Sequence, residues 1–167
     1  MKLTFAAIFG ALAVAVTIVF VFPIPATIGG YFNLGEIIVY TAALAFGLYV
    51  GAFAGGSIAI ADILVGAAVF APGTLVIKGL EGAIVGFLSR ELKNHGLSSG
   101  WSAAISVVIG GLEMIVGYFI YEQLVVGYSL LGALVEIPYN VVQMAVGLGI
   151  ALPIIYAVQR VFPQLKS

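Results

Sequence analysis

Cysteine is absent from the 167-residue sequence, which excludes disulfides and thiolate metal sites. Histidine occurs once, as His95, too seldom for a histidine metal cluster and leaving no nucleophile–histidine pair for an enzyme in the membrane. No metal site, cofactor or catalytic residue is therefore expected. Charge is scarce as well: Asp, Glu, Lys and Arg make up 8% of the chain, where globular domains carry about 25%. A net charge of −1 gives no electrostatic case for binding nucleic acid. No G-x-x-x-x-G-K-S/T run occurs, so the chain does not hydrolyse nucleotide by a P-loop. What remains is 63% hydrophobic. So few charges do not cover the surface of a soluble domain, so the expected solvent is a bilayer and the length fits a single membrane domain, residues 1–167.

The first apolar run, residues 3–22, has the length of a membrane span rather than of a signal-peptide core. Residues 36–68 pose the question of count. As one helix they reach about 50 Å, too long for a hydrocarbon core of about 30 Å. The glycines at 47, 51, 55 and 56 offer a turn. The distribution of positive charge decides: Lys2, the Arg90–Lys93 loop, and Arg160 with Lys166 fall on one side only if even numbers of crossings separate them. The prediction is an all-α integral membrane protein of six transmembrane helices with both termini cytoplasmic. The helices are placed at residues 3–21, 32–46, 48–67, 74–92, 101–122 and 132–161, with the ambiguous turn near Gly47–Tyr49 and Gly55–Gly56 as the alternative.

The sixth basic residue, Lys78, stands in the apolar stretch APGTLVIKGLEG, three residues before Glu81. Each costs several kcal/mol in hydrocarbon unless paired or hydrated, with estimates of roughly 2.5–3.5 kcal/mol for a lysine at a helix centre. On the six-helix count Glu36, Asp62, Lys78, Glu81, Glu113, Glu136, Asn140 and Gln143 all fall in the outer half of the membrane. One cation does not neutralise five acids, so a polar cavity opening outward is expected. Lys78 and Glu81 also fit a structural pair on one helix face, Glu36 fits a helix cap, and Asp62 fits a packing role. Thr74 is placed to cap helix four or to face a ligand. Tyr31, Phe32, Tyr118, Tyr121, Tyr128 and Tyr139 gather toward the same side, either as an interfacial belt or as stacking surface. The proline- and glycine-rich segment FPIPATIGGYFNLGE, which carries Asn33, reads as a loop that can serve as a lid. Small residues recur every four positions in helix one, at Ala7, Ala11 and Ala15. Such a row suits either internal packing or docking to another membrane protein.

Several of these stretches resemble the substrate-binding S components of energy-coupling factor (ECF) vitamin transporters, in the riboflavin-type branch. The resemblance covers nearly the whole chain. It rests on the Ala7–Ala11–Ala15 row, the long first loop, YFNLGEIIVYTAALAFG, and the run from Asp62 through Gly66 and Phe70 to Gly82. Leu48 departs from it, a proline being expected after Gly47. The resemblance implies a prokaryotic plasma-membrane protein that captures a vitamin-sized molecule at the outer face. It implies that the alanine row docks to a transmembrane coupling subunit carrying two ATPases. It leaves the ligand open between riboflavin and a smaller pyridoxine- or hydroxymethylpyrimidine-like compound, which five acids and a lysine suit better than a flavin. Candidate substrate-binding residues are Asn33, Glu36, Thr74, Lys78, Glu81, Glu113, Tyr121, Glu136, Tyr139, Asn140 and Gln143. Lys78 is the expected cationic donor to the ligand, aimed by Glu81. The competing reading is a self-sufficient proton-coupled secondary transporter with Glu113 and Glu136 as proton carriers.

Overall fold

The computed structural model describes residues 2–25 and 27–161. Lys166, counted among the C-terminal basic residues, lies outside them. Among the described residues six α-helices follow one another: α1 Lys2–Val19, α2 Gly35–Phe46, α3 Leu48–Leu64, α4 Ala71–Asn94, α5 Ser99–Tyr121 and α6 Leu130–Val161. Segments Lys2–Val19, Ala71–Asn94, Ser99–Val126 and Leu130–Val161 are long and apolar enough to cross a membrane. The remaining two helices, α2 and α3, are apolar but shorter.

The α2–α3 turn falls at Gly47, whose φ of 85° is open to glycine and strained for other residues. Proline is not needed at position 48; Leu48 begins α3 directly. The close packing of α3 on α4 has a visible cause. A Cβ added to Gly51 would lie 2.5 Å from the Gly82 carbonyl, and one on Gly86 would lie 2.5 Å from Leu48 N. Gly55 likewise faces the Lys78 carbonyl without room for a side chain. Backbone meets backbone along this seam, as small-residue rows permit. On α1 the buried residues are Ala6, Gly10, Ala13 and Thr17. Ala7, Ala11 and Ala15 point the other way and are exposed.

Several boundaries differ from the sequence expectation. Helix α2 starts at Gly35 rather than 32, because Tyr31 and Phe32 pair with Pro23 and Phe22 in a two-residue antiparallel ladder, β1 (Phe22–Pro23) and β2 (Tyr31–Phe32). The first loop is thus a short hairpin inside an otherwise helical fold. Helix α4 starts at Ala71, so Pro72 and Gly73 belong to its first turn, where a proline loses no hydrogen bond. This puts Lys78 about two turns and Glu81 nearly three turns into α4, one turn deeper than expected. Helix α5 ends in a π-helical turn, Glu122–Val126, closed by Gly127.

The bundle has two unlike ends. At one, the Lys2 ammonium lies over the Tyr49 ring, 5.6 Å from its centroid, and the Arg90 guanidinium packs against Gly47. The other end holds the β1–β2 hairpin, the start of α4 and the start of α6.

Candidate functional site

Under the hairpin lies a narrow polar cavity. Its walls come from five segments: the hairpin (Gly29, Gly30, Tyr31, Asn33), α3 (Ile58, Asp62), α4 with the residue before it (Phe70, Thr74, Lys78), α5 (Tyr118) and α6 (Glu136, Asn140, Gln143). Most of these side chains are polar although the surrounding chain is not. Burying them is favourable only if they bond to one another or to a ligand.

Many bond to one another. Thr17 donates to Asn33 Oδ1 at 3.4 Å, and the Asn33 amide donates to Gln143 Oε1 at 3.0 Å. Asn33 Oδ1 also accepts from Gly35 N at 2.8 Å, serving the start of α2. Gln143 Nε2 donates to Glu36 Oε1 at 3.0 Å, and the same oxygen accepts from Lys78. Lys78 Nζ reaches Glu81 Oε2 at 3.6 Å and contacts Met114 Sδ. Tyr40 donates to Glu81 Oε1 at 2.6 Å. One network therefore joins α1, the hairpin, α6, α2 and α4, and every charged member is at most 1% exposed.

The hairpin is held at several points. Tyr31 donates to Asp62, Tyr128 donates to the Ile28 carbonyl at 2.9 Å, and Gly30 sits so close to the Glu136 carboxyl that no side chain fits between them. Burial and the adjacent Asp62 carboxylate raise the Tyr31 phenol above its usual range. Burial, with Glu136 nearby, pushes the Tyr128 phenol up to about 12. Both latches are thus neutral donors at ordinary pH. Thr74 does not cap α4; its hydroxyl bonds the Tyr118 hydroxyl at 2.8 Å.

Of the residues singled out from sequence, Asn33, Thr74, Lys78, Glu136, Asn140 and Gln143 line the cavity. Glu36 and Glu81 stand behind Lys78 and hold it. Glu113 is half-buried beside Glu81 and outside the cavity wall. Tyr121 bonds the Val69 carbonyl at 2.8 Å and packs over Gly73. Tyr139 turns outward to an apolar groove with Pro138, Phe22 and Phe32. Asp62, to which a packing role was also open, lines the cavity, as do Tyr31 and Tyr118. Sequence reasoning passed over Tyr40 and Glu122. The signal for Tyr40 was its place four residues after Glu36, on the same helical face. Glu122 read as a helix end, yet it is 1% exposed, beside Glu136.

The electrostatic outcome follows from this arrangement. Lys78 is consumed by Glu36 and Glu81. Buried oxygens without a hydrogen bond remain on Asp62 (Oδ2), Glu136 (Oε1), Glu36 (Oε2), Glu113 (Oε2) and Glu122 (both), and on Glu81 Oε2, which has only the ion pair with Lys78. Asp62 and Glu136 are the two acids that also face the cavity. The cavity thus presents one carboxylate oxygen from each of Asp62 and Glu136 that has no hydrogen bond, alongside the Asn140 amide.

Apolar helices wrapped around such a cavity make a membrane protein that handles a polar solute. Residues 1–160 match the family model for the ECF-type riboflavin transporter, S component, and the chain belongs to that family. It is thus a transporter component and not an enzyme. It is 32% identical over 151 residues to the thiamine precursor transporter HmpT of Lactococcus lactis subsp. cremoris, covering 90% of this chain and 82% of that one. It is 40% identical over 138 residues to an uncharacterized Pyrococcus woesei protein of the gap 3′ region, covering 81% and 87%. The fold matches a solved S component of a bacterial ECF transporter with a TM-score of 0.68 at 19% identity, over 99% and 98% of the two chains.

Proposed function

We propose that this chain captures a small, single-ring vitamin precursor at the outer face of a prokaryotic plasma membrane. It then hands the molecule to an ECF coupling subunit driven by two ATPases. Six crossings with cytoplasmic termini are favoured by the gathering of Lys2, Tyr49, Gly47 and Arg90 at the end opposite the cavity. Helix α2 is short in this reading because the hairpin dips into the bundle and the helix starts at the cavity floor. The exposed alanine row of α1 supports docking at Ala7, Ala11 and Ala15, since close helix approach needs small side chains.

The observation that carries the substrate class is the pair of unpartnered acceptors, Asp62 Oδ2 and Glu136 Oε1, in a cavity whose lysine is already neutralised. A ligand with amino or hydroxyl donors on one aromatic ring satisfies them. An aminated hydroxymethylpyrimidine is such a compound, and a pyridoxine-like molecule is the next best fit. Ile58, Phe70 and the rings of Tyr31 and Tyr118 supply the apolar surface, a set suited to a single aromatic ring. The same acids disfavour an anionic ligand.

Titration of purified protein with an amino-hydroxymethylpyrimidine, pyridoxine and riboflavin tests the reading. The pyrimidine is expected to bind tightest, and Glu136→Gln or Asp62→Asn to weaken it roughly ten- to a hundredfold, the worth of a charge-assisted hydrogen bond. Preferential binding of riboflavin overturns the substrate class. Uptake into liposomes by this chain alone, driven by a pH gradient, overturns the ECF coupling and restores the secondary-transporter reading.

A further inference from the structure

The π-helical turn that ends α5 turns its apolar residues out and its acid in. Leu124 and Val125 are exposed, while Glu122, the one charged residue of the turn, is 1% exposed. Its backbone is fixed there: the Glu122 carbonyl accepts from Gly127 N and, at 2.8 Å, from Tyr128 N. A π-turn carries one residue more than an α-turn, and such widened turns recur at functional sites. A carboxyl buried in this way needs a partner.

The partner it meets is another acid. The Glu122 carboxyl lies within hydrogen-bonding reach of the Glu136 carboxyl of α6. As carboxylates neither has a proton to donate, and both Glu122 oxygens and Glu136 Oε1 are buried without a donor. No cation stands between them: among the described residues the ion pairs are those of Lys78 with Glu36 and Glu81. The other titratable group beside the pair is the Tyr128 phenol, from the loop before α6. Across the cavity stand Asp62 of α3, Tyr31 of the hairpin, Tyr118 of α5 and the committed Lys78 of α4. Two like charges in contact and out of water do not both persist. One shared proton converts their repulsion into a short, charge-assisted hydrogen bond.

We propose that Glu122 is a positioning residue for ligand capture, sharing one proton with Glu136 and so holding that carboxyl under Gly30 of the hairpin with Oε1 turned to the ligand. The pair then carries one negative charge instead of two. Without the proton the two carboxyls repel, and Glu136 leaves the place on which the hairpin closes. That Glu136 touches the ligand rests on the function proposed above; the shared proton does not.

Infrared spectroscopy of the full, ligand-free chain in detergent at neutral pH reads the proton as the carbonyl stretch of a protonated carboxyl. Glu122→Gln and Glu136→Gln are each expected to lose one such band. The double variant is expected to lose no more than either alone, because two residues hold one proton. Glu113→Gln, at a half-buried acid elsewhere on α5, is expected to leave that band in place. No loss in either single variant, or losses that add in the double variant, overturns the shared proton. Titration with the amino-hydroxymethylpyrimidine, pyridoxine and riboflavin then reads the positioning. Between about pH 7 and about pH 10 wild-type affinity is expected to fall, toward tenfold per pH unit once the proton leaves. Tyr128 keeps its proton over that range, its pKa being about 12. Glutamine offers a fixed N–H in place of the proton, so Glu122→Gln is expected to bind with a flat profile. Glu122→Leu offers none and is expected to weaken binding roughly tenfold at neutral pH. Coincident profiles for wild type and Glu122→Gln overturn the positioning role. If none of the three compounds binds, the infrared result still decides the pair, and the failure falls on the substrate class alone.

Discussion

Replacing Lys78 with methionine removes the one cation from a group in which Glu36 and Glu81 are fully buried. Glu36 loses its ion pair and keeps the Gln143 bond; Glu81 keeps the Tyr40 bond. Breaking a buried pair from one side costs about 3–5 kcal/mol, because the partner charge is stranded. For a chain of this length that is a fall in Tm of about 6–20 °C, at roughly 2–4 °C per kcal/mol. The assay is thermal unfolding of the ligand-free protein in detergent, paired with ligand titration. Adding Glu36→Gln and Glu81→Gln removes the stranded charges and is expected to recover most of the stability. Affinity in that triple variant is expected to stay within about tenfold of wild type, a change of less than about 1.4 kcal/mol, because Lys78 neutralises the network rather than the ligand. A Lys78→Met protein with unchanged Tm and a hundredfold loss of affinity refutes this reasoning and makes Lys78 the ligand's own anchor.

Leucine at Ala7, Ala11 or Ala15 is expected to leave ligand affinity intact and to abolish uptake by the reconstituted transporter, since these side chains face outward; loss of binding would instead assign the row to internal packing. Gly55→Ala drives a Cβ into the Lys78 carbonyl and is expected to cost about 1–3 kcal/mol in unfolding measurements, whereas Gly149→Ala, with open space around it, costs far less. The Tyr128 latch works only as a phenol. Its folded pKa of about 12 exceeds the ordinary value of 10, so its contribution is present below pH 10 and is lost as pH rises toward 12. Ligand release is expected to accelerate over that window in wild type, and to be fast and free of that step in Tyr128→Phe. A cysteine at Asn94 is expected to react with a membrane-impermeant reagent only from the cytoplasmic side; labelling of intact cells would reverse the proposed orientation.

Helix number and the Gly47 turn were legible because they rest on local rules: apolar run length, positive charge placement and glycine. The same holds for the presence of a polar layer, since buried charge in an apolar chain needs a partner wherever it lies. Boundaries slipped where tertiary contact overrode local preference. Tyr31 and Phe32 pair as a strand with Phe22 and Pro23, and Pro72 enters α4 instead of preceding it. Of the division of labour within the polar layer, only the Lys78–Glu81 pair was legible. Glu36 and Gln143 are 107 residues apart in sequence and share a hydrogen bond; Tyr31 and Asp62 meet only because the hairpin folds onto α3. Sequence spacing paired Lys78 with Glu81, its neighbour on one helix. The fold gave Lys78 a second carboxylate from α2, and so left Asp62 and Glu136 as the cavity acids that each keep an oxygen without a hydrogen bond. Which acid is neutralised depends on which helices touch, and that is set by backbone seams such as Gly51–Gly82, where the absence of side chains fixes the distance.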